Sequence, residues 1–299
     1  MARKILVLGG TRFFGKRLVE DLIASGEEVT ILTRGRSADH FGNQVQRITV
    51  DRKDSDAFKQ AVYETDYDVV YDNICYTPEE AAYAARLFAG HAGHYVLTST
   101  LSVYDFADHP LREEDFDPYR YPVLTNDNGE YSYKEGKRQA EAVLFNRHDL
   151  NVVAVRFPIV LGIDDYTKRL WFHVEHALKG EPIGVPAPDA SISFIHAGEA
   201  AAFLKWAGDV RFEGPVNACS NGAVSVTEVM EMIRQETGHA APLLPSAGPE
   251  RMSPFGIPGD WTMDNGRAET AGFSFWDVRE WMPRLIAEIS NELKKQTSS

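Results

Sequence analysis

Two cysteines in 299 residues, Cys75 and Cys219, are too few and too far apart for a disulfide framework or a Cys-x-x-Cys metal knuckle, which indicates a reducing compartment. There is no apolar run of about 18 residues, so the sequence offers no candidate membrane-spanning helix. The four apolar residues between Lys4 and Gly9 are too few for the apolar core of a secretory signal. Bases are also in deficit: 31 Lys and Arg against 44 Asp and Glu leave a formal charge of −13, which opposes non-specific attraction to phosphate backbones or anionic lipid. These absences predict a cytoplasmic protein whose partner is a small molecule rather than a membrane or a nucleic acid, with homodimer formation left open. What is present is ordinary for a folded chain: 43% apolar and 25% charged residues, at a length suited to two structural units or one large α/β domain.

Ile5 to Leu8 is an unbroken apolar run ended by Gly9-Gly10, as expected of a strand covered on both faces in a parallel sheet. Phe14, Leu18, Leu22 and Ile23 then recur at helical spacing up to Gly26, a residue suited to ending a helix. The alternation continues with strands at Val29 to Leu32, Arg47 to Val50, Val69-Val70 and Tyr95 to Leu97, and with a helix over Glu79 to Ala89. A helix over Ser132 to Phe145 leads into a sixth strand at Val152 to Val155. Such alternation requires right-handed crossovers and predicts an α/β fold, a doubly wound parallel sheet. Beyond Phe157, Pro158, Pro182, Pro186, Pro188, Pro215, Pro242 and Pro245 cut the chain into shorter pieces. Helices are expected there at Leu170 to Leu178, Gly198 to Ala207, Val226 to Thr237 and Trp276 to Leu293, in a smaller irregular lobe. The predicted division is residues 1–160 for a dinucleotide-binding domain and 161–299 for a substrate lobe that returns elements to the main sheet. The Pro-, Gly- and Ser-rich tract Ala240 to Gly259 reads as a mobile lid.

Gly9-Gly10-Thr11-Arg12-Phe13-Phe14-Gly15 lies between a predicted strand and a predicted helix, the context in which a glycine turn cradles a pyrophosphate. Gly9 allows the tight turn, the opening helix offers N–H groups and a positive dipole, and Gly15 lets helix and strand approach closely. Arg12 stands where a middle glycine is usual, and Thr33-Arg34-Gly35-Arg36 follows the second strand in place of an acidic residue. A carboxylate there would accept hydrogen bonds from a ribose 2′-hydroxyl, whereas guanidinium groups complement a 2′-phosphate, so NADP(H) is favoured over NAD(H). Asp51, with Arg52 beside it, is placed to meet the adenine amino group. Cys75 and Tyr76 after the fourth strand, and Phe157 and Pro158 after the sixth, complete the expected cofactor crevice.

Tyr133 and Lys137 stand at i, i+4, so a helix projects both from one face. A phenol with an ordinary pKa near 10 is a poor base at neutral pH, but a neighbouring ammonium favours the phenolate. Thr100, ending the fifth strand, could hold a substrate oxygen while Tyr133 exchanges its proton; Ser102 and Arg169 are candidate substrate contacts. His173 and His196 lack a carboxylate at ligand spacing, so no metal site is expected and a structural histidine is the reading. Glu113-Glu114-Asp115 reads as a solvated loop, and Trp171, Trp206, Trp261, Trp276 and Trp281 as packing residues.

Taken in order, these residues resemble the short-chain dehydrogenase/reductase superfamily, and more closely its extended and atypical members, the nucleotide-sugar epimerases, dehydratases and reductases. The resemblance runs from Gly9 to Gly15 through Thr98-Ser99-Thr100-Leu101-Ser102-Val103-Tyr104, Tyr133-Lys134-Glu135-Gly136-Lys137 with Ala140-Glu141, Arg156-Phe157-Pro158 and Phe194-Ile195-His196-Ala197-Gly198-Glu199 to Asp264–Ala268 and Gly272-Phe273. It implies a Rossmann domain, Thr100 as the catalytic hydroxyl, Tyr133 as acid and base, and Lys137 as the lysine that also holds the nicotinamide ribose. Two departures matter. Leu101-Ser102 follow Thr100 where the dehydratases carry Asp-Glu, which disfavours water loss. Ser191-Ile192-Ser193 stands where epimerases carry an arginine for the nucleotide diphosphate, which weakens the case for such a substrate. The Gly-Gly-Thr-Arg-Phe turn is also similar to that of bacterial proteins grouped with isoflavone reductases and of chloroplast stem-loop RNA-binding proteins. The expectation is therefore an NADP(H)-dependent oxidoreductase or epimerase acting on a secondary alcohol or ketone of a sugar-like or nucleotide-sugar molecule. The alternative is a non-catalytic NADP(H)-binding sensor, or an RNA- or partner-binding protein, on the same fold.

Overall fold

A computed structural model describes residues 2–124 and 130–297. Its first half realises the alternation in order: β1 (Lys4–Leu8), α1 (Phe13–Ala24), β2 (Glu28–Thr33), β3 (Val45–Thr49), α2 (Ser55–Val62), β4 (Val69–Asp72), α3 (Pro78–Phe88), β5 (Tyr95–Thr100), α4 (Tyr133–Phe145) and β6 (Val152–Phe157). Side-chain caps set several boundaries: Asp54 accepts from the backbone of Ala57, Thr77 from Glu80 and Ser132 from Glu135, at α2, α3 and α4. The second half adds β7 (Ile159–Leu161), α5 (Arg169–Lys179), β8 (Ile183–Gly184), β9 (Ser191–Ile192), β10 (Phe194–His196), α6 (Ala197–Asp209), β11 (Gly214–Asn217), β12 (Val224–Ser225), α7 (Val226–Thr237), β13 (Leu243–Leu244), α8 (Gly266–Thr270) and α9 (Val278–Thr297).

The main sheet is seven-stranded and parallel throughout, in the order β11-β6-β5-β4-β1-β2-β3. Its order reverses between β1 and β4, and the crevice at such a switch point is where doubly wound sheets take ligands. Ile5, Leu6, Val7 and Leu8 are wholly buried, and all six residues of β5 and of β6 are buried, the signature of strands covered on both faces. β11 escapes a sequence reading because it is four residues long and holds Pro215; at the sheet's edge that proline's missing N–H costs no ladder bond. The short α2 was likewise not expected.

The chain divides into two compact units, and they interleave rather than meet at residue 160. The first comprises Met1–Asp105, Arg112–Phe157 and Ala200–Ala218, the second Phe106–Leu111, Pro158–Glu199 and Cys219–Ser299. In the second unit α5, α7 and α9 enclose a core that includes Leu170, Val174, Val229, Ile233, Met282 and Ile286. The tract Ala240 to Gly259 is not a free lid. β13 pairs with β8, Phe255 is fully buried against His173, and the Ser253 hydroxyl bonds that imidazole, so the tract is part of its own unit's core. Glu113-Glu114-Asp115 also departs from the solvated loop expected of it. It forms a 3₁₀ turn in which the buried Glu113 carboxylate accepts the Asn217 N–H at 2.8 Å, a partner 104 residues away that local sequence cannot reveal.

Candidate active site

The glycine turn follows β1 in the first unit. Gly9 has φ +83°, and a Cβ there would lie 2.5 Å from Ile74; at Gly15 a Cβ would lie 2.6 Å from the Gly9 carbonyl oxygen. Both positions therefore require glycine, one for conformation and closeness, the other for closeness alone. Arg12, in the middle position, has φ −138°, which any residue adopts; the non-glycine residue of the turn with positive φ is Phe13, at φ +51°. The first turn of α1 carries no acidic residue, and Arg12 at its N-cap makes no side-chain capping hydrogen bond. Beneath the turn, the Asn73 side chain accepts from Thr98 Oγ1 at 2.7 Å, while its buried Nδ2 has no hydrogen-bond partner among the described residues and lies 3.2 Å from where a Gly15 Cβ would be. A tight glycine cradle, a helix start without an acidic or capping side chain and an orphaned amide fit the pyrophosphate end of a dinucleotide.

Around this turn the expected cofactor residues are placed unequally. Arg12 is exposed and its Nε donates to Ser37 Oγ at 2.8 Å, which brings it to the loop after β2 that carries exposed Arg34. Ser37 has no motif that would mark it. Thr11 and Phe14 are partly exposed, and the Phe14 ring meets Phe157 at 5.8 Å. Asp51 is half-buried and caps the Lys53 N–H at 3.1 Å. Arg52, expected as a cofactor contact, is instead committed to the core. It pairs with wholly buried Asp72 at 2.7 Å, and Asp72 also accepts the Tyr95 hydroxyl at 2.5 Å. Burial pushes the Cys75 thiol up to about 12, so that residue offers its carbonyl rather than its sulfur. Pro158 and Arg169 belong to the second unit, where Arg169 Nε donates to Thr167 Oγ1 at 2.8 Å and lies 3.9 Å from the buried Asp165 carboxylate.

Tyr133 is the first residue of α4 and half-exposed, while Lys137 is buried one turn on. Lys137 Nζ donates to the Cys75 and Thr98 carbonyl oxygens, each at 2.7 Å, and sits 4.8 Å from the centre of the Tyr76 ring. Burial lowers its pKa, and the nearby Cys75, Asp72 and Glu141 oppose that shift. Thr100 ends β5 with its hydroxyl oxygen accepting the Ser102 N–H at 3.1 Å, an arrangement that leaves the hydroxyl proton to donate. Gly136 lets α4 come close: a Cβ there would stand 2.4 Å from the Tyr76 carbonyl oxygen. Behind the helix, fully buried Glu141 and Arg156 pair at 2.6 Å; Ser99 donates to Glu141, and Arg156 donates to the Tyr104 hydroxyl at 2.9 Å and to the Glu113 and Phe116 carbonyls at 3.0 Å each. This network joins α4, β5, β6 and the segment after Thr100. Glu141, Arg156, Ser99 and Tyr104 stand in the motifs quoted from the sequence, where nothing marks them as one network.

His173 in the second unit is a satisfied structural residue, with Nδ1 facing the Arg169 carbonyl and Nε2 the Ser253 hydroxyl, both at 2.8 Å. A cavity of about 590 Å³ in that unit is lined by Ser191, Ser193, Asn221, Asp260, Asp264 and Glu269 among others, with no lysine or arginine among its lining residues. Among the described residues no group of three His, Cys, Asp or Glu side chains could hold a metal ion, and no helix is long and apolar enough to cross a membrane.

Residues 5–218 match the model of the NAD dependent epimerase/dehydratase family. The chain belongs to that family. The chloroplast stem-loop binding protein of 41 kDa b from Arabidopsis thaliana is 30% identical over 253 residues, 73% of this chain and 62% of its own length. Among solved structures, MoeE5 in complex with UDP-glucose and NAD superposes with a TM-score of 0.72 at 22% identity, covering 99% of this chain and all of the other. The UDP-N-acetylglucosamine 4-epimerase from Bacillus cereus gives 0.69 at 18% identity, covering 98% and 97%. At those identities the likeness is one of fold.

Proposed function

We propose that the chain is an NADP(H)-dependent oxidoreductase or epimerase acting on a secondary alcohol, or the corresponding ketone, of a sugar-like substrate. The observation that carries this reading is the Lys137 ammonium held between the Cys75 and Thr98 carbonyls one helical turn from Tyr133, on a helix that packs beside the strand ending in Thr100. A bound nicotinamide supplies hydride donor and acceptor chemistry. Tyr133 gives or takes the proton of the substrate oxygen, and the Thr100 hydroxyl, oriented by the Ser102 N–H, donates to that same oxygen. Lys137 contributes its positive charge beside the phenol and, through an N–H not directed at the two carbonyls, a donor to the nicotinamide ribose.

The preference for a 2′-phosphorylated cofactor is supported by Arg12 reaching Ser37, by exposed Arg34 and by the absence of a carboxylate where β2 ends. A nucleotide-sugar substrate draws support from the fold's neighbours, two of which carry UDP-glucose and UDP-glucuronic acid. Leu101-Ser102 after Thr100 favours redox or epimerisation over dehydration. Carboxylates without lysine or arginine in the second unit's cavity oppose a diphosphate there, so a sugar lacking that group is included in the proposed class.

A second reading, an RNA-binding protein on this fold, is favoured by the name of the 30%-identical relative and opposed by the net charge of −13. The Tyr133→Phe variant separates the two. For the enzyme we expect NADPH binding to persist while turnover, measured on a panel of free and nucleotide-linked sugars, falls by roughly 10²-fold or more. Undiminished turnover in Tyr133→Phe would remove Tyr133 from the mechanism. Absence of turnover in the unmutated protein across the panel, together with stem-loop RNA binding that weakens steeply with salt, would favour the second reading.

A further inference from the structure

Tyr76 is a large aromatic side chain left 45% exposed between a wholly buried Cys75 and the cap of α3. Its backbone is fixed at both ends. The N–H donates to Glu80 Oε2 at 2.7 Å, and the carbonyl oxygen lies against Gly136, where a Cβ would come within 2.4 Å. Gly136 lies between Tyr133 and Lys137 on α4, so the ring is pinned beside the two residues to which the preceding reading gives the chemistry. It lies 4.8 Å from Lys137 Nζ and 6.4 Å from the Tyr133 ring. The π-face of an aromatic ring attracts a cation, more strongly when both are withdrawn from water, and Lys137 is 1% exposed.

We propose that Tyr76 is a positioning residue of this site, its ring face holding the Lys137 side chain as an ammonium between the Cys75 and Thr98 carbonyl oxygens. The inference rests on the assignment of Lys137 to the active site, but its physical content concerns Lys137 alone. Removal from water disfavours the charged amine, and the two carbonyls supply only part of the compensation. The titratable and charged groups acting on Lys137 include Cys75 beyond β4, Asp72 on β4, Arg52 after β3 and Glu141 on α4, with Tyr133 one helical turn away on the same helix. Asp72 is paired with Arg52 and Glu141 with Arg156, so both anions are largely answered by partners of their own. The ring adds a further attraction aimed at Nζ.

Two half-exposed substitutions test this without disturbing the core: Tyr76→Phe keeps the face and loses the hydroxyl, while Tyr76→Leu keeps bulk and loses the face. The measurement is the pH titration of the Lys137 Cε resonance in protein carrying 13C-lysine, assigned by its disappearance in Lys137→Gln. We expect the midpoint to fall by about one pH unit in Tyr76→Leu and to stay within about 0.3 of the unmutated protein in Tyr76→Phe. The NADPH affinity should lose its alkaline limb at correspondingly lower pH in Tyr76→Leu only. Coincident titrations in all three proteins, or an equal fall in both variants, would overturn the proposal. If the titrations separate as expected but none of the proteins binds NADPH, the proposed function fails and the role of the ring at Lys137 stands.

Discussion

His173 is fully enclosed on α5, its imidazole nearly parallel to the Phe255 ring at 4.3 Å, and burial lowers its pKa to about 4. An unfolded chain binds a proton at an ordinary histidine near pH 6.5, whereas the native protein does not until about 4. Stability is therefore lost as pH falls through that window, by about 3 kcal/mol at its acid end. His173→Gln should show a shallower fall in Tm between pH 7 and 4.5 than the unmutated protein; parallel curves would contradict the assignment. The same residue scale shows what one sequence reveals. Gly9 and Gly15 are legible because their need is local, and Arg12 because it interrupts a known turn. The pairing of Arg52 was not legible because its partner, Asp72, arrives from β4, and Ser37 was missed because only the folded loop brings it to Arg12.

At the scale of elements, α4 carries Tyr133 and Lys137, the residues of the proposed chemistry, and its placement depends on a close approach. Alanine is a better helix former than glycine by about 1 kcal/mol, so propensity alone favours Gly136→Ala. The Cβ would meet the Tyr76 carbonyl oxygen at 2.4 Å, and overpacking of this kind costs about 1 to 3 kcal/mol. We expect Gly136→Ala to lower the urea midpoint of unfolding; a raised midpoint would mean that the helix has slack at this point. The helix itself was readable from its apolar spacing and from Ser132 as its cap. Elements whose signals are short were not: α2 has eight residues, and β11 is a four-residue edge strand with a proline. Local composition also misled for the tract Ala240 to Gly259, where Pro, Gly and Ser gave the look of a mobile segment while Phe255 anchors it in a core built from distant helices.

For the whole molecule, seven parallel strands with a switch between β1 and β4, a glycine turn at that switch and a net charge of −13 accord with the proposal that one dinucleotide is selected through a few placed cations rather than through a basic surface. The doubly wound parallel sheet followed from the alternation of apolar runs, whereas the seventh strand, β11, did not. The interleaving of the two units did not, because the excursion at Phe106–Leu111 and the return at Ala200–Ala218 are set by contacts far along the chain. The central claim, a nicotinamide enzyme that prefers the phosphorylated cofactor, is tested most directly by calorimetric titration of the unmutated protein and Arg12→Ala with NADPH and NADH. The account predicts one saturable site, NADPH tighter than NADH by about 1 to 3 kcal/mol, and most of that gap erased in Arg12→Ala. Equal affinities in the unmutated protein would contradict the preference, and no binding of either dinucleotide would contradict the account as a whole.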